Sequence, residues 1–308
     1  MFRRRLSSLF LLIFLWVFLF FPVTGTCWAQ ARVAVLYPQV QEPFLSVFQS
    51  ILRGVESDPG LSVRSFSLPE NLDTKALDAW LEAEQVDSVI VLGRQGARAA
   101  QVLKGPSKII VGALPAAVQG LSGISLSPAP EVLFRHLREL APKVRDIHVV
   151  YSEVNAWLIP WAESAAAAQG LDFTAYRVQD LREAVHEYRN LLQTLRGPSQ
   201  AIWLPLDNIT ADDELVLPLV LQGSLERGLV VFSSKPAHAQ RGVLFTVFPE
   251  HFAMGQSLAR MATSGQQSTG IVPLADVQLA VNLRTAFHLG LRFTPRQQER
   301  FDLVFPTR

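Results

Sequence analysis

The chain is nearly devoid of cysteine. Its single Cys27 rules out an intramolecular disulfide framework and paired-cysteine metal or redox chemistry. Catalytic signatures are absent as well. There is no G-x-x-x-x-G-K-[ST], no G-x-S-x-G and no H-E-x-x-H. The histidines at 136, 148, 186, 238, 251 and 288 are scattered without metal-ligand spacing. No strong charge imbalance exists, with 28 basic against 27 acidic residues, and no basic face of the kind that binds nucleic acid. Low-complexity tracts and short-period repeats are missing too. These absences argue against an enzyme, a metal or cofactor site and a nucleic-acid partner. A 49% hydrophobic and 18% charged composition describes a globular chain with a sizeable core.

The one long apolar run is at the start. Arg3, Arg4 and Arg5 precede an unbroken stretch from Leu9 to Phe21, then Pro22 and a small or polar exit through Ala29 and Ala31. The run falls short of the about 20 apolar residues of a spanning helix, and the order of features is that of a secretory signal peptide. Residues 1–29 are therefore expected to be a leader, with cleavage after Ala29 or Ala31 both satisfying the small-residue rule. Thr26 before Cys27 does not fit a lipidation site. Loss of the three arginines takes 28 basic residues to 25 against 27 acidic, a net charge near −2. The localisation expected is periplasmic or otherwise extracytoplasmic.

Beyond the leader, short apolar runs alternate with amphipathic ones. Strands are expected at Arg32–Tyr37, Leu61–Phe66, Ser88–Leu92, Lys108–Gly112, Ile147–Tyr151, Phe173–Tyr176, Ala201–Leu204 and Leu229–Phe232. Runs such as Val89-Ile90-Val91-Leu92 are apolar on both faces, as in a parallel sheet covered by helices on both sides. Helices are expected at Phe44–Glu56, Thr74–Glu84, Ala97–Leu103, Glu131–Leu140, Ala156–Gln169, Leu181–Leu195, Asp213–Arg227 and Phe252–Thr263. Asp180 with Glu183, and Thr294 with Gln297, have capping-box spacing, while Gly170 and Gly228 mark helix ends. The alternation predicts doubly wound α/β architecture. The Gly/Ser-rich Gln119–Ser125 interrupts it and reads as a hinge between two α/β lobes, with a second crossing near Val243–Phe248. The boundaries expected are 30–122 plus about 247–275 for lobe 1, and 123–246 plus about 276–308 for lobe 2.

Four segments carry a family resemblance. They are Val89–Ala97, Gly120-Leu121-Ser122-Gly123-Ile124, Asp207 after the strand Ala201–Leu204, and Asn282-Leu283-Arg284-Thr285-Ala286 with Leu289-Gly290-Leu291. In order and spacing, over roughly Arg32 to Pro295, the chain resembles the periplasmic ABC-transporter substrate-binding proteins of the type I fold, in the subgroup with tryptophan- and tyrosine-binding members. It departs from them in three places. Glu250 and His251 stand where the family commonly has Asp-Tyr, the hinge lacks the usual Asn, and Gly112-Ala113-Leu114-Pro115 replaces an acidic-proline turn. The resemblance implies an α/β protein of two doubly wound lobes joined by a multi-crossing hinge. It also implies a small polar solute, such as an amino acid or related carboxylate, and a membrane permease as partner. The alternative is an extracytoplasmic sensor or accessory module serving a membrane kinase or outer-membrane receptor. A monomer is expected, because closure needs free lobes.

Ligands of open α/β sheets sit beyond the carboxyl ends of the strands, which singles out the residues following them. These are Tyr37 and Gln39; Gly93, Arg94 and Gln95, where a helix start and a guanidinium suit a carboxylate; Tyr151 and Glu153; Asp207 and Asn208, suited to an ammonium or hydroxyl; Ser234; and Glu250. Each has a structural reading beside it. Arg94 can pair with a surface acid, Asp207 can cap the turn before Thr210, Tyr37 can fill the lobe interface, and Trp157 and Trp161, one helical turn apart, read as packing rather than as a ligand cage. Lys235 reads as solvated and Trp203 as core.

Overall fold

A computed structural model of the chain describes residues 30–104, 108–264 and 270–306. The expected leader, with Cys27, lies outside the described residues. The chain begins β1 (Ala31–Pro38), α1 (Phe44–Glu56), β2 (Leu61–Leu68), α2 (Thr74–Glu84), β3 (Ser88–Leu92), α3 (Gly93–Ala100), β4 (Ile109–Leu114) and β5 (Ser122–Pro128). It continues through α4 (Pro130–Leu140), β6 (Asp146–Tyr151), a 3-10 helix (Glu153–Leu158), α5 (Ile159–Ala168), β7 (Asp172–Arg177), α6 (Leu181–Thr194), β8 (Gln200–Leu204), α7 (Val216–Arg227) and β9 (Val230–Ser233). The remainder is α8 (His238–Arg241), β10 (Phe245–Pro249), α9 (His251–Thr263), β11 (Ile271–Leu274), β12 (Val277–Asn282), α10 (Leu283–His288), α11 (Pro295–Gln298) and β13 (Leu303–Phe305).

Two sheets organise these elements. The first has six strands in the order β11-β5-β4-β3-β1-β2, and its pairs are all parallel. The second has seven, in the order β13-β12-β10-β9-β8-β6-β7, parallel except where β12 runs against β10. β3 is buried along its whole length, which explains its unbroken Ser-Val-Ile-Val-Leu run, since helices cover both faces. Each sheet carries apolar clusters on its two sides: Val33, Val35, Ile90 and Leu92 on one face of the first sheet, Ala34, Leu36, Val89 and Val91 on the other.

The hinge expected at Gln119–Ser125 is corrected by the sheet pairing. Ser122–Pro128 is a strand, bonded to β4 and β11. Gly123 is there for contact rather than for freedom: a Cβ on it would lie well inside the contact distance of the Val111 carbonyl oxygen, so only glycine admits the neighbouring strand. The boundary expected at 122/123 therefore falls inside a strand of the first sheet, and the chain crosses to the second sheet after Pro128. The crossing expected near Val243–Phe248 falls on β10, a strand of the second sheet; the chain leaves that sheet at Glu250 and returns to it at Asp276, between β11 and β12. Three chain passages thus join the sheets.

Between the second and third passages α9 packs across α1. The fit depends on two glycines, because a Cβ on Gly54 would run into the Phe252 carbonyl and one on Gly255 into that of Ile51. The helix expected over Ala156–Gln169 is broken in two. Glu153–Leu158 is a 3-10 helix, and α5 starts anew with Pro160 in its first turn, where a missing N–H costs nothing. The helix expected from Asp213 starts at Val216. Thr294 and Gln297 form a complete capping box. Asp180 accepts from Glu183 N–H at 2.9 Å, and the Glu183 carboxylate accepts from Gln179 N–H at 2.8 Å.

Candidate functional site

Strand order reverses at two places. In the first sheet β1 has β2 on one side and β3 on the other, and in the second β6 lies between β7 and β8. Crevices at such switch points are where α/β sheets take ligands. Tyr37 lies near the end of β1 with Gln39 just beyond it, and Gly93 and Arg94 follow β3. Tyr151 ends β6 with Glu153 just beyond, and Asp207 and Asn208 follow β8. The residues singled out from sequence therefore stand at the two switch points, with Ser234 after β9 and Glu250 after β10.

Their environments divide them. Asp207 is buried and its carboxylate is fully occupied. Oδ2 accepts from Ser152 Oγ at 2.6 Å, Ser152 N–H at 3.2 Å and Asn155 Nδ2 at 3.3 Å; Oδ1 accepts from Ile209 N–H at 2.7 Å and Thr210 N–H at 3.3 Å. Burial alone would raise its pKa, but these hydrogen bonds outweigh burial and hold it below the usual carboxylate range. A carboxylate offers about four lone-pair sites, so the ammonium-receiving role expected of Asp207 has no acceptor left. The residue ties the segment after β6 to the segment after β8.

Glu250 is the N-cap of α9, accepting from the N–H groups of Phe252 and Ala253. Gln95 donates its side-chain amide to the Pro69 carbonyl, and Ser234 Oγ accepts from the Trp203 indole at 3.0 Å. Glu153 is paired with Arg177. Gln95, Ser234 and Glu250 are thus bonded into their own framework, whereas the Glu153–Arg177 pair is solvent-exposed. Gln39, Arg94 and Asn208 are exposed, and Tyr37 and Tyr151 are half-buried. Gly93 adopts a left-handed backbone, with φ of 69°, that lets α3 begin directly at the end of β3, four residues before the helix start expected at Ala97.

Lys235, expected to be solvated, is instead part of a network behind β9. Its Nζ donates to Asp213 Oδ2 at 2.6 Å and to the Ala211 carbonyl at 2.9 Å. Asp213 also receives His238 Nε2 and Arg241 Nη1, each at 3.0 Å, and His238 Nδ1 lies 2.8 Å from Ser233 Oγ. Serine, histidine and aspartate here have the residue types of a nucleophilic triad but not its accessibility. Ser233 and His238 are fully buried, and the hydroxyl also accepts the Lys235 N–H at 3.0 Å. Burial, then the charge of Lys235, lowers the His238 pKa to about 4. The imidazole is neutral at pH 7 and donates from Nε2 to the carboxylate, which makes the cluster a clamp between β9, α8 and the approach to α7. Asn282 extends it, donating to the Ala239 carbonyl at 2.8 Å. Among the described residues no group of three or more His, Cys, Asp or Glu side chains is placed to hold a metal ion, and no helix is long and apolar enough to cross a membrane.

A cavity of about 970 Å³ opens between the sheets. One wall is the 116–122 connection from β4 to β5. The other is Glu153, Val154, Ala156 and Trp157 of the 3-10 helix with Trp161 of α5. Of the residues singled out from sequence, Glu153 lines it. Trp157, which also lines it, is half-buried against the core of the second sheet. Trp161 is 48% exposed and faces the cavity. Val154, Trp161 and the 116–122 wall were not anticipated as site residues. Their apolar character is the signal that would have found them, since ligand pockets are lined mostly by apolar and aromatic groups.

No protein-family model matches the chain, and no curated protein matches it. Solved structures do. A substrate-binding protein with adhesive properties from Clostridium difficile, in its ligand-free open form, superposes with a TM-score of 0.61 at 17% identity, covering 90% of this chain and 100% of that one. An ABC domain in complex with L-Trp from Streptococcus pneumonia gives 0.53 at 18% identity, with 90% and 100% covered. A conserved domain protein from Vibrio cholerae gives 0.52 at 16%, with 89% and 99% covered. At these identities the likeness is one of fold. The chain has the two-sheet α/β architecture of the type I periplasmic binding proteins.

Proposed function

We propose that the chain is the extracytoplasmic solute-binding component of an ABC-type uptake system. It holds a small solute between its two lobes, and their closure presents the loaded form to a membrane permease. The observation that carries this reading is the cavity of about 970 Å³ lined by residues 108–110, 116–122 and 270–271 from the side of the first sheet and by residues between Glu153 and Trp161 from the side of the second. Its size falls within the about 300–1,000 Å³ of small-molecule sites, and closing two lobes around a ligand is a standard hinge motion. Of the fold neighbours, one is an ABC domain in complex with L-Trp and one is a substrate-binding protein in a ligand-free, open form. Tyr37, Gln39, Arg94, Tyr151 and Asn208 stand at the switch points outside the lining of this cavity, while Gln95, Asp207, Ser234 and Glu250 are hydrogen-bonded within their own framework.

The test is X-ray scattering with a thermal-shift screen of the purified protein against amino acids, sugars, nucleosides and vitamins. A solute at 100 times its dissociation constant adds about 2.7 kcal/mol, a rise of roughly several degrees for a chain of this size, with a smaller radius of gyration. Scattering profiles that stay superimposable while the midpoint rises would remove the closure step. A panel that moves neither would sink the proposal.

A further inference from the structure

We propose that the outer face of α10, around Arg284, Phe287 and Arg292, is a docking surface for an acidic protein segment, a role that goes beyond solute binding and stands without it. The stretch Leu283–Gln298 holds Arg284, His288, Arg292 and Arg296 and no acid, in a chain that is slightly acidic without its leader. Among the described residues no carboxylate pairs with any of these three arginines. The rest of the segment has structural tasks. Asn282 accepts from the Thr285 N–H at 3.0 Å and donates to the Ala239 carbonyl, and Thr285 Oγ1 donates to the Gly242 carbonyl at 2.8 Å. Ala286 is buried, and Leu283, Leu289, Leu291 and Phe293 pack against the core of the second sheet. Arg284 and Phe287 have no such task, and Phe287 is 62% exposed.

These groups are contiguous. Three residues apart on α10, Arg284 and Phe287 are neighbours on the helix surface, and the Arg292 guanidinium lies 4.1 Å from the centre of the Phe287 ring. Beside Arg284 is a hollow of about 160 Å³ bounded by Gln240, Asn282, Phe305 and Pro306. A guanidinium at the rim of a hollow suits one carboxylate side chain, the exposed Gln240 adds a neutral donor, and arginine with an aromatic is the pairing that anchors protein interfaces. A lipid surface fits less well, because Phe287 carries a guanidinium on its face and would take that charge with it into hydrocarbon. The patch also stands apart from the cavity. β12 runs against β10, with Val281 opposite Phe245 at that strand's start, so the chain leaves β12 toward the amino ends of the parallel strands. Arg284, Phe287 and Arg292 are not among the residues that line the cavity, so a partner here engages the protein with or without a solute.

The test is to pan a random peptide library displayed on phage against the immobilised protein, then to titrate the recovered peptides calorimetrically. Peptides enriched in aspartate and glutamate around an apolar residue are expected. Their affinity should weaken about tenfold or more in the double variant Arg284→Glu, Arg292→Glu and in Phe287→Ser, and stay within about twofold of the parent in Arg53→Ala on α1. The substituted side chains are exposed, so thermal midpoints should match the parent's and lost binding then reads as lost contact. Affinity should also fall as salt rises. A library that yields no binder, binders without acidic enrichment, or acidic binders held equally by the variants would overturn the inference and leave the solute-binding reading untouched. Binding to phosphatidylglycerol vesicles that the same substitutions abolish, with no peptide recovered, would overturn the protein partner and assign the patch to a lipid surface.

Discussion

Acidification from pH 7.5 to 5 should destabilise this protein through one buried imidazole. His238 has no solvent exposure, and its pKa falls from the ordinary 6.5 to about 4. The cause is desolvation first and the charge of Lys235 second, only partly offset by the Asp213 carboxylate. A base with a depressed folded pKa binds fewer protons folded than unfolded between the two values, so stability rises with pH across that window. The contribution is complete above pH 6.5 and is lost as pH falls toward 4. Each pH unit inside the window is worth about 1.4 kcal/mol, so the shift predicts a loss of about 2 kcal/mol between pH 7.5 and 5 from this residue.

Urea unfolding at a series of pH values checks it, with His238→Gln beside the parent. The glutamine keeps a donor toward Asp213 and an acceptor toward Ser233 but cannot titrate. His136, His148 and His251 are also held low by burial, so the parent's total slope exceeds the His238 share, and the difference between the two curves isolates it. The variant should be less stable at pH 7.5 and should close the gap by about 2 kcal/mol at pH 5. Curves that run parallel would refute the reasoning. Curves that diverge as pH falls would mean His238 is the charged partner of Asp213, with the opposite linkage.

Two further substitutions test the framework. Gly255→Ala places a methyl against the Ile51 carbonyl where α9 crosses α1; overpacking of this kind costs about 1–3 kcal/mol, read as a lowered thermal midpoint, and an unchanged midpoint would show that the crossing is not tight. Asp207→Ala leaves the N–H groups of Ser152, Ile209 and Thr210 and the Asn155 amide without their acceptor; a loss of about 3 kcal/mol or more in the solute-free protein is expected, whereas an Asp207 that served only a ligand would show its loss in affinity and not in stability.

What was legible in the sequence follows from range. β3 and β8 could be read because a strand buried on both faces writes its burial into consecutive residues. The local half of the Asp207 story could be read as well, since a carboxylate two and three residues before receptive N–H groups is a turn cap. Ser152, its strongest partner, is 55 residues away, and nothing in one sequence joins them. β5 was misread because glycine has two meanings. Gly120, with φ of 77°, does supply a turn, but Gly123 is small because β4 comes close, and periodicity carries no trace of a neighbouring strand.

The tryptophans show the same limit on a helical scale. Four residues apart on a continuous α-helix, Trp157 and Trp161 would share a face. The chain changes from a 3-10 helix to α5 between Leu158 and Ile159, and a turn of about 3.0 residues does not keep the register of one of about 3.6. Both indoles line the cavity, but Trp157 is half-buried against the core and Trp161 is open. The charged residues that sequence reasoning favours as ligand groups follow strand ends because loops there need capping and tying, and that need saturates Asp207 and makes Glu250 a helix cap. A charge that follows a strand end in this chain is therefore first a structural group, and its burial and its hydrogen-bond partners, which one sequence does not show, decide whether it is free for anything else.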